Sequence, residues 1–193
     1  MGNSLSNVNR ISALASDYAS RENGNDNQNV GITLSEVRDL TLWQLAVWPD
    51  SLQSQAGAVA NQIGLSSFPG FGSVVSDAGI AMLRIEPLKF WVLGAELTEC
   101  DANNGTILDL SHSRTHIRIE GPQATTVLNS YLPLDLREQS FPVGSVASTA
   151  FHHVGVTLWR SEPGYELFIP RGFALSLWEL LIEASEQYGL SVS

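Results

Sequence analysis

The feature that most constrains this fold is an order of elements that occurs twice along the chain. In the first half, residues 40–48 form an apolar run typical of a strand, which stops at Pro49. A helix is predicted over residues 52–63, because apolar side chains recur there at every third or fourth position. Two short strands follow at residues 80–85 and 90–93, separated by a turn that contains Pro87.

The second half repeats this order. A strand is predicted at residues 115–120, where apolar and charged side chains alternate, and Gly121 and Pro122 then open a short helix. Strands at 146–152, 154–160 and 165–169 and a final helix at 173–188 complete the pattern. We predict an α+β fold of two ferredoxin-like βαββ units side by side, spanning about 37–98 and 106–190. A single five- or six-stranded sheet with helices on one face fits the same periodicities.

The N-terminal stretch has a different composition from the rest. Residues 1–36 are rich in Asn and Ser, with too few apolar side chains to offset the entropy of ordering the chain. We therefore predict a flexible arm over 1–36 and a single globular domain over 37–193. The arm is either disordered or becomes ordered on a partner.

Charge and cysteine content restrict the partners and the compartment. The chain carries 20 acidic against 10 basic residues, a formal charge of -10, and its basic residues form no stripe. Binding to nucleic acid or to an anionic membrane surface is therefore disfavoured. Cys100 is the only cysteine, which excludes an internal disulfide and favours the cytoplasm. We find no secretory signal and no apolar segment long enough to span a bilayer.

The patterns that could signal a cofactor, metal or catalytic site are incomplete. Gly70 and Gly72 begin a dinucleotide-binding pattern, but Val75 stands where its third glycine belongs, so a surface loop is predicted. His112 and His116 have a metal-ligand spacing only on a helix, whereas here a strand would hold them roughly 13 Å apart. We predict no metal site and no catalytic residue in this chain.

A series of short motifs nevertheless gives the chain a family resemblance. Residues 109–114 read Asp-Leu-Ser-His-Ser-Arg, and a strand and the Gly121-Pro122 helix start follow. This order resembles the domains of the folate-dependent aminomethyltransferase superfamily. Further motifs at residues 133–136, 141–144, 158–160 and 168–171, with 45–49 and 90–94 in the first half, look like the gamma subunits of heterotetrameric sarcosine oxidases.

The resemblance implies an accessory subunit with an aminomethyltransferase-like fold. Such complexes oxidatively demethylate sarcosine to glycine and pass the one-carbon unit to tetrahydrofolate, with FAD, FMN, NAD and the folate on the partner alpha, beta and delta subunits. The small subunit of a related N-methyl amine oxidoreductase, such as N-methylglutamate dehydrogenase, and a free-standing folate-binding module remain alternatives. In the last case Asp109, His112 and Arg114 would lie near the folate.

Surfaces for partner subunits are expected where large side chains accumulate. The final helix is apolar around most of its circumference, so it packs on its own sheet and on another chain, or between the two halves. Tryptophan is common both at interfaces and in cores. The interface candidates are Trp43, Trp48, Trp159, Arg171 and Trp178.

Overall fold

The computed structural model describes residues 11–15 and 30–193, which form eleven strands and three helices of more than one turn in an α+β arrangement. In chain order the elements are β1 (Ile32–Val37), β2 (Leu42–Val47), α1 (Leu52–Gln62), β3 (Val74–Asp77), β4 (Ile80–Glu86), β5 (Lys89–Leu93), β6 (Gly105–Asp109), β7 (Arg114–Glu120), α2 (Ala124–Asn129), β8 (Val146–Phe151), β9 (Val154–Arg160), β10 (Gly164–Pro170), α3 (Ala174–Glu186) and β11 (Leu190–Val192). Short 3-10 turns at Pro49–Ser51 and Arg171–Phe173 precede α1 and α3.

The strands form two sheets with the same internal order. The first sheet runs β3-β4-β5-β2-β6, and the second runs β8-β9-β10-β7-β1-β11. In each half a strand is followed by a helix and then by a three-stranded meander that returns to pair with the first strand. All pairings are antiparallel except that of β1 with β11. The structure thus has two similar halves, and the strand–helix–meander unit of each half contains one strand more than the predicted βαββ unit.

The two sheets are joined through a backbone bridge between Ser73 and Ser145. The amide of Val74 donates to the carbonyl of Gly144 at 2.9 Å, and the amide of Val146 donates to the carbonyl of Gly72 at the same distance. Gly72 and Gly144 have a positive φ, at 67° and 88°, which other residues rarely adopt. Equivalent residues of the two halves therefore pair with each other across an approximate two-fold axis.

Three apolar clusters follow from this arrangement. Helix α1 covers the outer face of the first sheet, and α2 and α3 cover the outer face of the second. Between the inner faces lies a third cluster, to which both sheets contribute. Its buried members are Leu40, Leu42, Ala81, Leu83, Ile85, Trp91, Leu110, Val146 and Phe168. Among the described residues no helix is both long enough and apolar enough to cross a membrane.

The structure corrects the predicted boundary between arm and domain. Ile32–Val37 is strand β1 in the second sheet, with Ile32 and Leu34 fully buried, so residues 32–36 are not part of an arm. Leu14 is also fully buried in the core of the second half. Residues 1–10 and 16–29, which make up most of the predicted arm, lie outside the described residues.

The boundary between the halves also differs from the prediction. Strand β6 pairs with β2 and completes the first sheet, so the second half begins after Asp109 rather than at residue 106. Strand β1, in contrast, joins the second sheet although it precedes the first half in the chain. Both corrections concern short strands whose place is set by a distant pairing partner.

Helix α3 packs on its own sheet and not between the two halves, so the second of the two predicted arrangements is wrong. Its buried residues form one stripe against the second sheet and α2, made of Ala174, Leu177, Trp178, Leu181, Ile182 and Ser185. On the opposite side Leu175 is 38% exposed, and Phe173, just before the helix, is 53% exposed. The helix therefore does not lie between the halves, and its core contacts come from its own half.

Gly164 and Gly57 differ in whether the fold has room for a Cβ atom at their positions. A Cβ on Gly164 would lie 2.4 Å from the carbonyl oxygen of Ile119, whereas a Cβ on Gly57, within α1, meets nothing within 4 Å. We expect Gly164→Ala to lower the free energy of unfolding by about 1–3 kcal/mol, as overpacking does. Gly57→Ala is expected to raise it by about 1 kcal/mol, because alanine favours helix. Urea unfolding of both variants measures this, and equal effects would contradict the packing described.

An inter-sheet cleft as candidate functional site

A cleft of about 470 Å³ opens between the two sheets. Its position follows from the backbone bridge, which holds the start of β3 against the start of β8 and lets the sheets diverge beyond it. The lining residues come from both halves and are Gln44, Ile85, Glu86, Lys89, Trp91, Arg114, Ser148, Thr149, Gly155, Val156, Thr157 and Phe168. A volume of this size is ordinary for a ligand site, so the cleft is the first candidate.

The floor of the cleft is made of packed aromatic side chains. The rings of Trp91 and Phe168 meet edge to face with centroids 5.7 Å apart, and only 4% and 1% of these residues are exposed. The indole Nε1 of Trp91 donates to Oε1 of Gln44 at 3.3 Å. The guanidinium of Arg114 lies 5.6 Å from the centre of the Trp91 ring, in cation-π contact. Burial lowers the pKa of this guanidinium, which nonetheless stays protonated.

Of the predicted folate-site residues, the structure places only Arg114 in the cleft. The carboxylate of Asp109 accepts a hydrogen bond from the Ser111 amide at 2.8 Å, as in an Asx turn, and Asp109 is exposed. Ser111 in turn binds the backbone of Leu42 on the neighbouring strand. His112 is exposed in the turn before β7. Asp109 and His112 do not line the cleft, so the three candidates form no common site.

A buried charged network lies beside the cleft on the inner side of the second sheet. His116 Nε2 donates to the Glu166 carboxylate at 2.6 Å, while Arg118 Nε and Ser161 Oγ donate to its other oxygen at 2.8 and 3.1 Å. The His116 ring also stacks on Phe168, with centroids 4.4 Å apart. Burial alone raises the pKa of Glu166, but the bonds and charges of His116 and Arg118 outweigh it and lower that pKa. The carboxylate is therefore ionised and fully engaged.

The cleft has little capacity for catalysis. Glu86 is the one carboxylate among its described lining residues, and Lys89 binds it at 2.9 Å. Cys100 lies elsewhere, and burial, followed by the charge of Asp101, raises the pKa of its thiol, which disfavours a nucleophilic thiolate. Within the residues that the structure describes, no three His, Cys, Asp or Glu side chains cluster as metal ligands do.

The cleft also does not fit a folate. A pterin ring is held by stacking on a flat face and by hydrogen-bond acceptors for its amino group. Both aromatic rings of the floor are already covered, Trp91 by Arg114 and Phe168, and Phe168 by His116. Glu166, the buried carboxylate nearby, is saturated. We therefore assign no step of folate chemistry to these residues.

The five interface candidates have very different exposures. Trp178 is fully buried in the core of its own half, so its selection as an interface residue is wrong. Trp43 and Trp159 are partly buried against two of the apolar clusters. Arg171 donates to the carbonyl of Ile11, which ties it to the N-terminal segment of the same chain. Trp48 alone among the four tryptophans is mostly exposed, at 51%.

Sequence reasoning did not find the polar residues that matter most here. Gln44 and Glu166 occupy ordinary strand positions in the sequence pattern, yet a Gln and a Glu within apolar strands signal buried partners. In the repeat Gln44 is equivalent to Arg118, since Gln44 pairs with Trp91 in the first sheet as Arg118 pairs with Glu166 in the second. The signal is a polar side chain at the same place in both halves.

Comparison with known proteins gives a matching family profile and several related sequences. A family profile described as the GCVT N-terminal domain matches residues 85–193, which is more than half of the chain. The chain is 31% identical over 168 residues to the sarcosine oxidase subunit gamma of Corynebacterium sp. strain U-96, an alignment covering 81% of this chain and 80% of that protein.

Solved structures agree with the sequence relatives. A chain in the structure of heterotetrameric sarcosine oxidase from Corynebacterium sp. U-96, in complex with pyrrole 2-carboxylate, superposes with a TM-score of 0.77 at 28% identity, covering 94% of this chain and 97% of that chain. The glycine cleavage system aminomethyltransferase T from Bartonella henselae gives a TM-score of 0.56 at 15% identity and shares the fold. This chain matches 48% of that protein's length.

The Glu166 network predicts a particular acid sensitivity. Its lowered pKa stabilises the fold above the usual glutamate value of 4.5, and this contribution is lost as the pH falls through the lower folded-state value. Glu166→Gln is expected to cost about 3 kcal/mol at pH 7, because it breaks a buried pair, and to flatten the stability profile below pH 4.5. Denaturant unfolding between pH 7 and 3 measures both. The exposed Glu138→Gln is the control, and an unchanged acid profile in Glu166→Gln would contradict the prediction.

Proposed function

Because the chain belongs to the sarcosine oxidase gamma subunits, within the GCVT N-terminal domain family, we propose that it is the accessory gamma subunit of a heterotetrameric sarcosine oxidase. That complex oxidatively demethylates sarcosine to glycine. The observation that carries the proposal is the whole-length structural match to a chain of such a complex. The structural match extends over both halves. The family profile, in contrast, covers the first half only from residue 85 onward.

The partners in this proposal are the alpha, beta and delta subunits, and FAD, FMN, NAD and tetrahydrofolate bind to them rather than to this chain. The chemistry of the cleft supports this division of labour. In the cleft the Arg114 guanidinium is stacked on Trp91, and the Glu86 carboxylate is paired with Lys89. The remaining polar groups of the lining are one amide and three hydroxyls. Such a set can bind and position but offers no base or nucleophile.

The buried network supports a structural role for the second half. Glu166 accepts hydrogen bonds from side chains of β7 and of the turn before β10, and these bonds lie on the inner face of the sheet. A buried carboxylate that accepts from three side chains in this way rigidifies its surroundings. We also place the assembly in the cytoplasm, since Cys100 has no second cysteine to pair with.

Assembly provides the direct test of the proposed function. Co-expression of this chain with its alpha, beta and delta subunits is expected to give one complex with flavin absorption that bleaches on addition of anaerobic sarcosine. Omission of the gamma chain is the control and is expected to reduce the yield of intact complex. A monodisperse gamma monomer that never joins the flavoproteins would refute the proposal. Faster bleaching with N-methylglutamate would assign the complex to that substrate instead.

A folate titration of the isolated chain tests the remaining alternative, a free-standing folate-binding module. Since the aromatic floor of the cleft is covered on its available faces, tetrahydrofolate is expected to cause no saturable quenching of tryptophan fluorescence up to about 1 mM, a weak limit for a specific ligand. The assembled complex, titrated in parallel, is expected to bind the folate. Saturable quenching that Arg114→Ala abolishes would instead establish a folate-binding module.

A further inference from the structure

The outer edge of β6 differs from the corresponding place in the second half. By sheet order β6 lies next to β2 as β1 lies next to β7. In the second sheet a sixth strand, β11, then pairs with β1, whereas in the first sheet no described strand pairs with the outer side of β6. Within the described part of the chain, the internal repeat therefore identifies a strand position that is filled in one half and open in the other.

The backbone groups at this edge can be assigned. Trp48 donates to the carbonyl of Asn104, and Leu110 donates to the carbonyl of Leu42, so even-numbered residues of this segment point their amides and carbonyls toward β2. Because antiparallel pairing alternates from residue to residue, the backbone groups of Gly105 and Ile107 point away from the sheet.

Among the outward-pointing residues of β6, Gly105 and Ile107 offer different groups to an added strand. The amide of Gly105 is taken by the carbonyl of Asp101 at 3.1 Å, which closes the turn before β6. Its carbonyl, together with the amide and carbonyl of Ile107, faces outward at the centre of the strand. These three groups match what an added strand needs for a short ladder of hydrogen bonds.

Exposed apolar side chains accompany this open edge. Leu108 of β6 is 53% exposed and Trp48 is 51% exposed. The indole Nε1 of Trp48 donates to the carbonyl of Ala102 at 3.1 Å, so the ring is held over the loop that leads into β6 with its polar group already satisfied. Strand β6 carries no lysine, no proline and no bulge, the devices that protect the edges of free-standing sheets.

The segment that forms the first sheet carries mostly negative charge. Between residues 39 and 113 the chain has eight carboxylates against two cations, and no Lys or Arg occurs at 39–83 or at 90–113. The exposed Asp50 and Asp101 lie beside Trp48, at the end of the strip where β6 begins. A segment that binds here gains from Lys or Arg side chains and is penalised for acidic ones.

We propose that a partner subunit of the complex adds an extended, Lys- or Arg-bearing segment to the outer edge of β6, in the place that β11 takes in the second sheet. The proposal rests on the proposed function, since it names how this chain is held in that assembly. Trp48 and Leu108 are the apolar anchors, and the outward backbone groups of Gly105 and Ile107 supply the ladder.

A second copy of this chain is a poorer occupant of the same edge. Pairing of two identical β6 strands would bring two copies of the same acidic segment together, and the repulsion between their like charges is destabilising. The acidic side chains near this edge thus favour a basic partner, and they also oppose pairing with a second copy of this chain.

The test compares matched exposed substitutions in the co-expressed complex. Leu108→Lys is paired with Val143→Lys, since these residues are 53% and 49% exposed, and Trp48→Ala with Phe173→Ala, at 51% and 53%. Thermal unfolding of each isolated variant verifies that the fold is intact. We expect Leu108→Lys and Trp48→Ala to weaken entry into the complex about thirtyfold, whereas Val143→Lys and Phe173→Ala are expected to enter as wild type does.

Amide exchange tests the strand pairing itself. The amide of Ile107 is expected to exchange at least about tenfold more slowly in the complex than in the free chain, and raised salt is expected to weaken entry. If wild type enters the complex while Ile107 stays unprotected and Leu108→Lys behaves as Val143→Lys does, the inference alone is overturned. Protection of Ile107 in the free chain that rises with its concentration would assign the edge to a second copy and overturn it too. If wild type never enters the complex, the proposed function fails and this inference falls with it.

Discussion

The backbone bridge between Ser73 and Ser145 sets the position of everything else in this molecule. Around the bridge, the amide of Gly72 donates to the carbonyl of Arg84, and the amide of Gly144 donates to the carbonyl of Arg160. In each half the glycine before the first meander strand is thus hydrogen-bonded to the end of the second meander strand. These bonds fix where β3 and β8 begin relative to each other. The inner apolar cluster then fills the space behind the bridge, and the cleft opens where the sheets diverge in front of it.

The bridge also explains why the halves are alike at one end and unlike at the other. Near it the two halves match strand for strand, because each must present the same backbone to the other. Away from it the second half gains α3, β11 and the early strand β1, whereas the first half ends with β6. The buried Glu166 network lies in the half with six strands, and the strand edge with which no described strand pairs lies in the other.

Much of this arrangement could be predicted from sequence because the strongest local signals agree with it, whereas the missed elements depend on tertiary pairing. The first strand of each half, its helix and the later meander strands carry apolar periodicity and appear within a few residues of their predicted bounds. Strand β11 has three residues and exists through its pairing with β1, and β6 follows a loop rather than a periodic run. The choice of Trp178 failed because an apolar helix gives no sequence signal for which side meets the core. The repeat itself is visible, since Gly-Ser-Val occurs at 72–74 and 144–146, and Arg-x-Glu-Pro at 84–87 and 160–163.

The uneven charge gives the acidic composition a physical meaning beyond the exclusion of nucleic acid. In the second half several cations are tied to carboxylates, as in the pairs Arg137–Asp135 and Arg160–Glu138, whereas the first half keeps an excess of carboxylates around its open edge. An unpaired apolar edge in a free subunit invites aggregation, and a surrounding negative charge opposes it through repulsion between copies. The same charge accelerates encounter with a basic surface. An accessory subunit of a larger complex can in this way remain separate until its partners are present.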